Sequence, residues 1–135
     1  MRFLSYIRAA IWYVKAGDLI EKKRFGESIL LIERIRNSTG KKTHSPCFFY
    51  IDIREALAAL GAGELDRAIA SIGTAKDKIY KFTKLSNADK EYLCSFCDIL
   101  QAEAMGSPGV IKTMTNEQES MVSSRFIAEY PIRYS

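Results

Sequence analysis

Three cysteines and a single histidine are the residues of this 135-residue chain best suited to metal or thiol chemistry. They fall into two pairs with two residues between the members, His44/Cys47 and Cys94/Cys97. Zinc takes four sulfur or nitrogen ligands in a tetrahedron, and short paired spacings suit it. The second pair, however, sits inside an apolar helical stripe rather than a turn, and cysteine is commonly buried as a small hydrophobe. Packing is therefore the expected role of these cysteines, with a metal site of His44, Cys47, Cys94 and Cys97 as the alternative. A Cys94/Cys97 redox pair would want the strand–helix setting of thioredoxin-like motifs, which the flanking residues do not offer. No resident cofactor is expected. Catalysis has little else to draw on: His44 has no nucleophile at informative spacing, no glycine-rich phosphate loop occurs, and Asp98 and Glu103 are polar-face carboxylates. The expectation is a protein that is not an enzyme.

Phosphate binding has a stronger claim. Lys22, Lys23, Arg24, Arg34, Arg36, Lys41 and Lys42 fall near the turn and the end of a first helical hairpin, placed to contact a nucleic-acid backbone. Glu21, Glu27 and Glu33 alternate with them and no base-reading motif accompanies them, so nucleic-acid binding stands as the rival function. The charge is unevenly spread: the chain is +4 overall, with +6 in residues 1–44, +1 in 45–84 and −3 in 85–135. Such polarity can orient an acidic partner, although ordinary solvated helix faces would produce it too.

The elements that must position these residues are helical. With 47% hydrophobic and 27% charged residues, the composition is that of a globular chain, expected as one domain over 1–135. An odd cysteine count argues against a secreted disulfide scaffold, so a cytoplasmic protein is expected. The first fifteen residues are apolar but interrupted by Arg8 and Lys15, so neither a signal peptide nor a membrane span is expected there. Their apolar residues cover most of a helix circumference, which suits a buried helix, with a partner or membrane surface as the alternatives. Apolar residues recur at helical spacing along the rest of the chain. Stop signals fall at Asn37–Gly40, Gly61–Gly63 and Gly106–Gly109, Lys41–Pro46 reads as a polar surface loop, and Ser86, Asn87 and Asp89 offer a cap. A capping box at Thr115/Gln118 opens a short helix 116–128, followed by a tail over 129–135. The fold class is all-α, built of antiparallel helical hairpins.

Two segments align at a spacing of 40 residues. Ala16 and Ser28 of the first correspond to Ala56 and Ala68 of the second, and Phe25 and Ile32 correspond to Leu65 and Ile72. Small residues would let two helices approach where they cross, and the larger ones would fill the adjoining gaps. This pattern over residues 9–82 resembles the tetratricopeptide repeat, with 88–128 as a third helix pair. Basic Lys22-Lys23 in the first turn, the missing closing prolines and the long spacing depart from the family's pattern. The resemblance implies a short right-handed array of stacked hairpins with an additional C-terminal helix. It also implies a protein–protein interaction module, an adaptor or an inhibitor or immunity-type protein, that binds a partner helix or peptide on the inner face of its first helices. Tyr13, Tyr50, Ile53, Arg54 and Leu57 fall on that face by alignment, and Arg54 is expected there as a surface charge. Helix 116–128 could fill the same face, and a homodimer is left open.

Overall fold

A computed structural model describes residues 2–106, with side chains for 7–40 and 43–106. Five helices make up most of it: α1 Arg2–Glu21, α2 Phe25–Thr39, α3 Phe49–Ala62, α4 Leu65–Lys81 and α5 Asn87–Ala104. Short 3-10 turns at Gly40–His44 and Pro46–Phe48 join α2 to α3. No strand occurs among the described residues, and the fold is all-α. The expected helix 116–128 and tail 129–135 lie outside the described residues.

The turns that end α1 and α3 have the same construction, 40 residues apart. At the first, Lys23 N–H donates to Ile20 O (3.0 Å) and Arg24 N–H to Leu19 O (2.8 Å). At the second, Gly63 N–H donates to Leu60 O (3.2 Å) and Glu64 N–H to Ala59 O (2.9 Å). Both are Schellman closures, in which the residue that closes the turn must be left-handed. Gly63 does so at φ 78° without a steric penalty, whereas Lys23 does so at φ 60° with one. The backbone at the next residue also matches, with φ −98°, ψ 65° at Arg24 and φ −86°, ψ 75° at Glu64.

Successive helices pack on one another from α1 to α5, while α1 also touches α3 and α3 touches α5. Ala16, Ser28, Ala56 and Ala68 are all completely buried, which is what close helix crossings require. In the first hairpin the Ser28 hydroxyl donates to the Ala16 carbonyl at 2.8 Å. Gly61 on α3 receives the Phe25 ring from the start of α2; an added Cβ would lie 2.2 Å from that ring. Ile32, Phe49, Ile72, Leu93, Phe96 and Leu100 fill the interior. The Ser86 side chain caps α5 by accepting from the Asp89 N–H at 3.1 Å.

Ion pairs tie three helices and the connection together. Arg36 on α2 reaches Asp52 (2.7 Å) and Glu55 (2.6 Å) on α3. Lys78 on α4 meets the other oxygen of Asp52 at 2.7 Å and donates to the Thr43 carbonyl at 2.5 Å. Arg67 on α4 bridges Glu55 and Glu33. Asp52, Lys78 and Thr43 are buried. The connection expected as a polar surface loop is therefore partly interior: Lys78 draws the Thr43 backbone inward, and Cys47 and Phe48 follow it into the core.

One expectation about α1 is corrected. Its core-facing residues are Tyr13 and Ala16, with Ala9, Trp12 and Ile20 packed against the core. Ile7, Ile11 and Val14, which belong to the apolar start that the sequence suits to a buried helix, are exposed. They occupy the opposite side of the helix.

Candidate functional site

The expected inner face is a meeting of α1 and α3. Tyr13 and Tyr50 contact edge to face with centroids 5.1 Å apart, and the Arg54 guanidinium lies 3.8 Å from the Tyr13 ring centroid. Arg54 Nη1 also donates to the Tyr13 carbonyl at 2.6 Å. Gly17 makes this possible, since a Cβ there would stand 2.6 Å from Nη1. A cation over a desolvated ring face is held by the ring quadrupole. Burial lowers the basicity of the guanidinium, opposed by Tyr13 and by the carboxylates of Asp18 and Glu21.

Tyr13, Tyr50, Ile53 and Arg54 are thus brought together, at 2%, 4%, 2% and 4% exposure. Leu57 beside them is half-buried. This corrects the expectation of Arg54 as a surface charge. Its guanidinium is an interior joint between two helices, because the carbonyl of Tyr13 and the face of its ring supply partners that bulk water would otherwise provide.

The basic set is divided. Arg24 pairs with Glu27 on the surface, while Arg36 is committed to Asp52 and Glu55. Burial pulls the Arg36 guanidinium down, but the two carboxylates outweigh it and hold it above its ordinary value. Arg34 lies over the Trp12 ring at 5.6 Å. Lys22 and Lys23 are exposed in the turn, and the side chains of Lys41 and Lys42 are not described. The set also splits between the two ends of α2, since Arg24 and Arg34 are ten positions, or about 15 Å of helix, apart.

The thiol candidates occupy different environments. Cys47 and Cys97 are buried, Cys94 is half-buried, and His44 is exposed. Burial raises the Cys97 thiol to about 12 and raises Cys47 as well, so neither is poised as a free thiolate nucleophile. Among the described residues, no group of three or more histidine, cysteine or acidic side chains is placed to hold a metal ion. No described helix is long and apolar enough to cross a membrane.

The surface that sequence reasoning kept only as an alternative to core packing is the outer side of α1. Ile7, Ile11 and Val14 are 42%, 52% and 54% exposed, in a single row. The helix is apolar around most of its circumference, and only the positions of α2 and α3 decide which apolar side stays in water. The four-and-three spacing of the row was the available signal. No family model, no curated protein and no solved structure matches the chain.

Proposed function

We propose that the chain is a non-enzymatic, tetratricopeptide-like helical array that binds another protein, as an adaptor or an inhibitor-type protein. The observation that carries the reading is the exposed row Ile7, Ile11 and Val14 on the first helix of the array. A contiguous exposed apolar row on a helix surface supports an interaction surface. The repeat reading is supported by the matched turns at Lys23 and Gly63 and by the packing of α1 on α3 and α3 on α5. The face of Tyr13, Tyr50, Ile53, Arg54 and Leu57 serves this function by fixing the angle between α1 and α3. The contact with the partner belongs to the opposite, solvent side of α1.

Nucleic-acid binding through the basic hairpin is the less supported reading, since Arg24 and Arg36 spend their charge on carboxylates of this chain. Affinity capture with the full-length chain from its own cells, at low and at moderate salt, tests the proposal. The expected result is a discrete protein retained at both salt concentrations. Recovery of nucleic acid alone, lost as salt rises, would overturn it.

A further inference from the structure

We propose that the outer side of α1 is a coiled-coil seam for one helix of a different protein, a helix whose flanks are acidic; this rests on the protein-binding reading above. Ile7, Ile11 and Val14 follow at intervals of four and three, the d, a and d positions of a heptad. In the sequence Leu4 holds the preceding a position. In the same register Arg8, Lys15 and Lys22 take three successive e positions, and all three are exposed. Lys22 keeps the helical register, because its N–H still donates to the Asp18 carbonyl at 3.0 Å. Residues seven apart stand about 10.5 Å apart along a helix, so one basic row borders the apolar row. The g positions on the other border, Ala10 and Gly17, are small and uncharged. Asp18 and Glu21 occupy the next a and d positions and end the seam.

Charge decides the occupant. Flanking e and g residues select partner and orientation in such pairings. A second copy of this chain fits badly: antiparallel pairing sets the basic e row against itself, and parallel pairing sets it against Ala10 and Gly17. A lipid surface would favour a broader apolar face than this single row. A partner helix with apolar a and d residues and Glu or Asp beside them satisfies both rows at once.

The test uses the full-length protein and two three-heptad peptides with the same apolar a and d residues, one carrying Glu and the other Lys at e and g. Calorimetric titration should show the Glu peptide binding about tenfold tighter or more, since each exposed pair changes from repulsive to attractive. The triple variant Arg8→Glu, Lys15→Glu, Lys22→Glu should reverse the preference, and Ile11→Asp should abolish binding, both with unchanged circular dichroism. Equal affinity for the two peptides, or no binding of either, would overturn the seam. So would self-association that Ile11→Asp dissociates, or binding to phosphatidylserine vesicles that Ile11→Asp releases. A captured protein that still binds the Ile11→Asp variant would overturn the seam and leave the protein-binding reading standing; capture of no protein at all would remove both.

Discussion

Reversing the charge of Arg54 tests whether the α1–α3 joint is interior. The side chain is 4% exposed, lies on the Tyr13 ring, and donates to the Tyr13 carbonyl at 2.6 Å. Arg54→Glu removes a hydrogen bond from a charged donor, worth about 1.5–3 kcal/mol. It also removes a desolvated cation–π contact of about 2 kcal/mol. In their place it sets a carboxylate against a carbonyl oxygen and a ring face, with Asp18 and Glu21 adding repulsion. These terms overlap, so the total is best bounded by the roughly 3–5 kcal/mol for an uncompensated buried charge. That is a large part of the ~5–15 kcal/mol that holds a typical domain folded. Arg54→Met keeps most of the stem's packing and should cost about half as much, because no charge is left unpaired. Urea denaturation followed by circular dichroism measures both. With a slope of about 1–3 kcal/mol per molar urea, the Arg54→Glu midpoint should fall by about 1 M or more. A surface charge reversal stays within about 0.5 kcal/mol. A midpoint unchanged within about 0.2 M would place Arg54 on the surface and refute its packing under Gly17.

Lys23→Gly should raise the urea midpoint, corresponding to up to about 1 kcal/mol, because Lys23 is held at φ 60° where glycine is unstrained. A lower midpoint would contradict the shared turn geometry. Gly61→Ala should destabilise by about 1–3 kcal/mol through the Phe25 ring, and Phe25→Leu in the same chain should recover part of the loss on thermal melting. The acid dependence should trace in part to Glu55. Burial raises its carboxyl, but Arg36 and Arg67 outweigh burial and hold it below the ordinary 4.5. A carboxyl lowered in the folded state stabilises above its unfolded value and loses that contribution as pH falls through the folded one. The melting-temperature gap between wild type and Glu55→Gln should therefore be full near neutrality and close below pH 4.5; a constant gap would count against the ion pairs.

Helix content was legible because apolar spacing and stop residues are local. The small residues Ala16, Ser28, Ala56 and Ala68 were legible as crossing points for a similar reason: their 40-residue offset is visible without a structure. Arg54 was not. An arginine between Ile53 and Glu55 reads as a surface charge, and the residues it packs against, Tyr13 and Gly17, lie on another helix. Thr43 misled in the same way, since a polar connection gives no sign that a lysine from α4 will take its carbonyl. The two sides of α1 were ambiguous because both are apolar. Local pattern sets how much of that helix avoids water, and tertiary packing sets which side.

Site-specific photocrosslinking in the cell tests the protein-binding claim most directly. A photoreactive side chain replaces Val14 in one full-length variant and Gly73, exposed on α4, in another. A discrete protein adduct is expected from position 14 and none from position 73. An adduct with nucleic acid or lipid, or no adduct from position 14, would contradict that claim.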